Sequence, residues 1–417
     1  MFIGIVADDL TGAADSVAPF AQRGYVAGVG LSVAREAQNP DQQWDALALN
    51  TELRDQKVIK PTLIASIARR ATRRLIERAP HLYFKKIDST LRGHLRPELD
   101  GMLRELPGRI ALICPASPAN GRTVENGVLS VLGVPLAHTG FVEGVQESKM
   151  FVTVRAAFGF ADEPTAVEIG LAVLRNGITG VEAELERHIA GGARTVFCDA
   201  VATEDLRTLA EVVLRRSERY LPVGSAGFTR AIAEKAPACP TSSPLWEAAR
   251  FKRGRILVVV GSRHPMSRQQ ARRIIDGAGV RPIILERERA SGLFVNERDF
   301  RERFRAGENL FVIITPEETK ASGLHYFVEP LLWEIAGWAK LPNSASPFDG
   351  YVVTGGHVAQ QVCHALGGRE LQILGESEPG IVRAILARHR GLPDVPIILK
   401  AGGFGDERTL ARCVGLE

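Results

Sequence analysis

Short apolar runs recur along the chain at intervals wide enough for a helix between each pair. In the first half they fall at residues 2–6, 46–49, 82–84, 110–114 and 195–198. Runs of this length suit strands buried on both faces, and the spacing suits crossover helices of a parallel α/β sheet. Between the second and third runs, Leu63, Ile67, Ala71 and Leu75 recur every fourth residue, which predicts an amphipathic helix with those positions on its buried stripe. The arginines of the same segment, Arg69, Arg70, Arg73, Arg74 and Arg78, lie largely off the stripe with no aromatics between them. They read as a solvated face and not as a nucleic-acid patch. A second series of apolar runs occupies 256–260, 283–285, 310–314, 351–353 and 397–399. The intervening "CPTSSPLWEAARFKRG", residues 239–254, has the composition of a linker or surface connection. The pattern therefore predicts two α/β domains with mostly parallel sheets, 1–245 and 246–417.

Length supports that division, because 417 residues exceed the ~250–300 at which one core usually stops growing. The formal charge of +4 arises from 52 basic and 48 acidic residues spread along the chain, which gives no footprint for nucleic acid but leaves room for small anions. Cys114, Cys198, Cys239, Cys363 and Cys413 are odd in number, far apart and never in a CxxC pair. Neither a disulfide framework nor a zinc site is expected, and a reducing cytoplasm fits best. No run reaches the ~18 apolar residues of a membrane span, and no basic segment leads into an apolar signal core at the N-terminus.

Chemistry concentrates just after the predicted strands. "VGSRHPMSRQQ" from Val260, "VTGGHVAQQV" from Val353 and "KAGGFGDERTL" from Lys400 each place glycine between a strand and a helix. Such turns let backbone N–H groups approach a phosphate at the positive end of a helix dipole. Three at the carboxyl ends of strands in one open sheet point to a nucleotide site. It is of neither common type, since GxxxxGK[ST] is absent and "GFGDER" does not complete GxGxxG.

In the first half, "VADDLTGAAD" sets Asp8 and Asp9 at a strand end, with Thr11 and Gly12 opening a helix. Successive side chains should diverge there, one acid facing the site and the other bracing the loop or reaching a metal. "YFKKIDSTLRGH", residues 83–94, carries Lys85, Lys86, Asp88, Ser89, Thr90 and Arg92 in a chain with only ten lysines. Lysine offers a compact charge and Arg92 a planar fork for an anionic ligand; the competing reading is a helix start capped by Asp88 or Ser89. "NTELR" brings Arg54 to the same sheet end, and "CPASPANGRTVENG" brings Asn120, Arg122 and Asn126, either as a surface loop or as part of the site. "VGSAGF" from Val223 has the spacing GSAG, not GxSxG, which disfavours a serine hydrolase. The histidines show no HExxH spacing, and His94, His264 and His357 stand singly at turns. A hard cation such as Mg²⁺, held by carboxylates and substrate phosphates, needs no such cluster.

Taken in order, "ADDLTGAAD", "KKIDSTLRG", "PASPANGRT", "VGSAGF", "GSRHPMSRQQ", "TGG" and "KAGGFGDE" closely resemble the four-carbon acid sugar kinases, which phosphorylate threonate, erythronate or 3-oxotetronate with ATP. The resemblance runs from Ile3 to about Leu410. It implies an N-terminal domain that binds the acid sugar, a C-terminal domain that binds ATP, and an active site in the cleft between them, with transfer to a terminal hydroxyl. On the resemblance, nucleotide contacts fall on Ser262, Gly355, Gly356, His357, Val358, Gly402 and Gly403, and substrate-site positions on Asp8, Asp9, Thr11, Arg54, Lys86, Asp88, Ser89 and Arg92.

Phosphoryl transfer asks the protein to align a hydroxyl with the γ-phosphorus, neutralise charge and accept one proton. Asp9 is expected to be the base, with Asp8 either holding Mg²⁺ through water or fixing the turn. Arg54, Lys86 and Arg92 would hold the substrate carboxylate and offset transition-state charge, which places Lys86 with the two acids in the catalytic group. Ser89 would bond a sugar hydroxyl. The expected partners are an acid sugar and Mg²⁺-bound ATP, with no nucleic acid or membrane; an oligomeric state is not encoded.

The segment 136–160 lacks the Asp-Pro pair that family members carry past "GRT", Ala401 stands where serine is common, and His357 stands where a small hydroxyl residue or an acid is usual. These departures bear on which acid sugar is used. The alternatives are a sensor that binds the same ligands without transfer, disfavoured by the intact acids and glycine turns, and a nicotinamide-dependent oxidoreductase, disfavoured by the missing fingerprint.

Overall fold

The computed structural model describes residues 1–33, 43–56, 58–139, 153–239, 254–262, 264–284, 286–288, 292–294, 297–314, 346–389 and 392–416. Residues 140–152 of the divergent segment, the linker core and the expected boundary near 245 lie outside them. The chain forms two compact units, one of Met1–Tyr25 with Trp44–Pro240 and one of Val26–Gln43 with Thr241–Glu417.

The first unit is built on a parallel sheet with the strand order Ala46–Asn50, Ile3–Ala7, Leu82–Lys86, Tyr220–Gly224, Ile110–Cys114, Thr195–Cys198, Ala166–Ile169. All but the last are buried at every position, as expected of strands covered on both faces. Parallel pairing puts the chain segments after Ala7, Asn50, Lys86, Cys114 and Gly224 at one end of the sheet. That common end collects "DDLT", "TELR", "IDSTLR" and "GSAGF".

Helix Pro61–Ile76 buries Ile64, Ala65, Ala68, Ala71, Thr72 and Leu75. Leu63, expected on the buried stripe, is half exposed, because steps of four residues drift around a helix of 3.6 residues per turn and carry the end of the series off the core face. The helix lies against Leu95–Glu105, where a Cβ on Gly101 would meet the Ala65 carbonyl at 2.5 Å; glycine permits this approach. Two of the arginines read as solvated bridge to that neighbour, Arg69 and Arg73 each donating to Glu105 at 2.7 Å.

The second unit has the strand order Ile283–Ile284, Leu310–Ile314, Ile256–Val260, Gly350–Thr354, Val395–Lys400, Ile381–Arg388, Gly368–Glu378, Ala27–Gly30. The first five pair in parallel and the last three antiparallel. Its core gathers Val258, Val260, Ala271, Ile274, Val312, Val352 and Ile398. The hairpin Gly368–Glu378/Ile381–Arg388 was not anticipated from the apolar runs, since buried and less buried positions alternate along its second strand. Nor was the inclusion of Ala27–Gly30, a strand from the beginning of the chain that pairs with residues 370–373.

Candidate active site

At the carboxyl end of the first sheet, Arg54 organises three acids. Its Nε and Nη2 donate to the two oxygens of Asp8 at 2.8 and 2.6 Å, its Nη1 lies 2.8 Å from Asp9 Oδ1, and the same nitrogen lies 3.6 Å from Asp88. Asp8 and Asp9 thus converge on one guanidinium, where divergence was expected. The cause is local: Asp9 is the N-cap of helix Leu10–Ala21, accepting from the Gly12 N–H at 2.9 Å, and the Thr11 hydroxyl donates to its other oxygen at 2.7 Å. Capping folds the Asp9 side chain back toward the guanidinium.

The two acids nevertheless differ in access. The Asp8 side chain is 3% exposed and that of Asp9 12%. Burial pushes the Asp8 pKa up, but the paired Arg54 outweighs it and holds the carboxyl below its ordinary value. Burial likewise works against the charged Arg54, yet its three acids keep its pKa well above the ordinary value. Gly93 closes over this pair: its φ is +98° and a Cβ there would stand 2.8 Å from Asp8 Oδ2, so both backbone and space require glycine.

Strand Leu82–Lys86 ends in two buried lysines pointing to opposite faces. Lys85 pairs with Glu98 at 2.8 Å, each almost wholly enclosed, and is a core ion pair. Lys86 donates to the Ile87 carbonyl at 2.9 Å and stands next to Gly12, where a Cβ would be 3.0 Å from its Nζ. Burial, and then the Arg54 charge, lower the Lys86 pKa against the pull of Asp9 and Asp8.

The following turn is not the capped helix start weighed above, for helix Leu95–Glu105 has His94 as its N-cap residue. Asp88 instead accepts from the Thr90 N–H at 3.2 Å and from Arg92 Nε and Nη2 at 2.8 and 2.9 Å. Burial raises its pKa, but Arg92 and Arg54 dominate and hold it well below the ordinary value. Ser89 is half-buried on the turn, and the Arg92 side chain is 59% exposed. Two non-glycine residues beside these charges, Glu52 and Leu91, both have φ of +60°, a strained backbone of the kind that collects at ligand sites.

The neighbouring loops divide between structure and site. Ser225 caps helix Ala226–Lys235 and donates to the Ala116 carbonyl at 2.9 Å. Asn126 turns a hairpin with φ of +51°, and its N–H donates to Asp199 at 2.8 Å. Asn120 Nδ2 donates to Ser117 Oγ at 2.9 Å, while Arg122, half-buried, donates to the Asn120 carbonyl.

In the second unit, adjacent strands Ile256–Val260, Gly350–Thr354 and Val395–Lys400 bring the three glycine turns side by side. Gly355 has φ of +92°, and a Cβ on it would lie 3.3 Å from Ser262 N. A Cβ on Gly402 would lie 2.4 Å from Ser262 Oγ, and one on Gly403 2.9 Å from His264 Nε2. Helix Gly356–Ala365 starts here, presenting the N-terminal amides of Gly356, His357 and Val358. His357 Nε2 is 2.9 Å from Gln361 Nε2, and the Val358 side chain is buried, packed where a Cβ on Gly261 would fall.

Lys400, outside the residues expected in the site, is wholly buried beneath the third turn. Its signal in the sequence was the same as for Lys86, a rare lysine at a strand end. Among the described residues no group of three or more His, Cys, Asp or Glu side chains could hold a metal ion.

Fold and geometry together define an α/β protein of the class that gathers anionic ligands at the carboxyl ends of its strands, with a charged cluster in one unit and stacked glycine turns in the other. Residues 3–232 match the model of a sugar-binding N-terminal domain and residues 315–410 that of a nucleotide-binding C-terminal domain. The chain is 31% identical to a D-threonate kinase of Bordetella bronchiseptica over 99% of its length and 96% of the relative's. It is 27% identical to a D-erythronate kinase of Heliobacterium modesticaldum, covering 98% and 95%, and 25% identical to a 3-oxo-tetronate kinase of Brucella melitensis, covering 98% and 94%. The fold is shared with solved proteins of Salmonella typhimurium and Haemophilus influenzae, at TM-scores of 0.77 and 0.73, 21% identity in both cases, and coverage of at least 98% of every chain. The chain belongs to the four-carbon acid sugar kinase family. A kinase role follows at that level.

Proposed function

We propose that the protein transfers the γ-phosphoryl group of ATP to the terminal hydroxyl of a four-carbon acid sugar, threonate, erythronate or 3-oxotetronate. The acid sugar is held by the charged cluster of the first unit, and ATP by the glycine turns of the second. The observation that carries the reading is the unequal access of the paired acids. Asp9 retains exposure at the head of the cluster, while both oxygens of Asp8 are taken by Arg54 in the interior.

Asp9 is then the group that orients the attacking hydroxyl and accepts its proton. Asp8 fixes Arg54, and Arg54 holds Asp9 in place. Arg92, the most exposed cation of the cluster, meets the substrate carboxylate as a fork. Lys86 adds positive charge under the developing negative charge, and Ser89 and Thr11 supply hydroxyls at the rim. With Asp8 enclosed and no metal-ligating cluster among the described residues, the donor set does not suit a protein-held ion. Mg²⁺ enters as part of the nucleotide substrate, coordinated by phosphates and water.

Asp9→Asn tests the assignment. Acid-sugar and ATP binding, measured by calorimetry, should change less than about threefold, while turnover falls by about two to four orders of magnitude, the range of a lost general base. Full turnover in this variant would remove Asp9 from the role.

A further inference from the structure

Lys400 ends strand Val395–Lys400 with no exposed surface. Among the described residues its ammonium makes no ion pair and donates to two backbone carbonyls, Ala401 at 3.1 Å and Gly402 at 2.8 Å. The Ser267 hydroxyl donates to the same Gly402 carbonyl. A buried cation without a carboxylate partner is expensive, so a merely structural brace would be better served by a neutral donor. The consequence lies in the peptide planes. In a trans peptide the C=O and the following N–H point in opposite directions, and the described residues contain no cis bond. Drawing the carbonyls of Ala401 and Gly402 inward turns the N–H groups of Gly402 and Gly403 outward. Among the described residues neither of those N–H groups donates to a protein acceptor. Successive outward amides above a buried positive charge form an anion cradle.

We propose that Lys400 is a positioning residue of the nucleotide site: it holds the Ala401 and Gly402 carbonyls inward so that the Gly402 and Gly403 amides receive a phosphate of ATP. The proposal rests on the reading that ATP binds the second unit. It assigns Lys400 no contact with the reacting atoms, and Ser267 supports the same carbonyl from helix Pro265–Ala278.

The test measures ATP, adenosine and acid-sugar binding calorimetrically to the full chain and to Lys400→Met, alongside steady-state kinetics. The variant should bind ATP about 10- to 100-fold more weakly, bind adenosine and acid sugar as the parent does, and raise the KM for ATP with kcat at saturation changed less than about threefold; two lost amide–phosphate bonds set that scale. ATP binding unchanged in Lys400→Met, or weakened equally with adenosine, overturns the proposal. Absence of ATP binding by the parent chain overturns the underlying reading instead. Should Lys400→Met fail to fold, Ser267→Ala carries the question: about 3- to 10-fold weaker ATP with unchanged adenosine supports the cradle, and unchanged ATP overturns it.

Discussion

At the scale of single residues, the proposed mechanism separates groups that hold from groups that act. Asp8→Asn removes the carboxylate that engages two nitrogens of buried Arg54, so denaturant unfolding should show a loss of about 3 kcal/mol, the scale of a broken buried pair. Asp9→Asn, at a less enclosed position than Asp8 and replaceable as a cap by asparagine, should lose under about 1 kcal/mol. Similar losses in both would contradict the division between brace and base. Lys400 gives a pH signature. Burial lowers its pKa from 10.5 to about 8 against the pull of Cys413 and Glu378, so between those values the unfolded chain binds more protons than the folded one. Stability from this group therefore rises as pH increases through that window. The stability difference between the parent and Lys400→Met should shift by on the order of 2–3 kcal/mol from pH 8 to pH 10.5, read from denaturation curves at several pH values. A constant difference would show that burial does not lower the Lys400 pKa in the fold.

At the scale of elements, strand positions were legible because a strand buried on both faces leaves an unbroken apolar run, as at Ile110–Cys114 and Ile256–Val260. The hairpin Gly368–Glu378/Ile381–Arg388 left an alternating trace instead, and Ala27–Gly30 is too short and glycine-rich to stand out. The residues around the charged cluster were readable from rare lysines and adjacent acids. Which acid is enclosed was not, because that depends on Arg54 arriving from another strand and on Gly93 closing over Asp8 from a third segment. The glycine turns show the same limit. Their motifs were visible singly, whereas the contact of Gly355 and Gly402 with Ser262 comes from strand order. Gly355→Ala combines a φ of +92° with a 3.3 Å contact to Ser262 N, and should cost about 1–2 kcal/mol in stability and weaken ATP by about tenfold or more, both measurable by thermal unfolding and calorimetry. Unaltered ATP affinity would detach this turn from the nucleotide site.

At the scale of the whole molecule, the family match spans both units, and in the proposed function each unit takes a different ligand. That assignment predicts a double dissociation. Arg92→Met should weaken acid-sugar binding by about tenfold or more and leave ATP within about twofold, whereas Gly402→Val, pressed against Ser262 Oγ, should do the reverse; charge-assisted bonds and amide contacts of this kind set the scale. Equal weakening of both ligands by either variant would argue against separate sites. Substrate stereochemistry lies below what spacing encodes, since one hydrogen bond to one hydroxyl can decide it.

In the proposed reaction this chain moves a phosphoryl group from ATP to a four-carbon acid sugar. Coupled ADP-release measurements on the purified protein with D- and L-threonate, D- and L-erythronate and the 3-oxotetronates test it most directly. ADP formation is expected to depend on one of these acids, to fall by about two to four orders of magnitude in Asp9→Asn, and to yield a product phosphorylated on the terminal hydroxyl. Binding of both ligands without acid-dependent ADP formation from any of the set would contradict it.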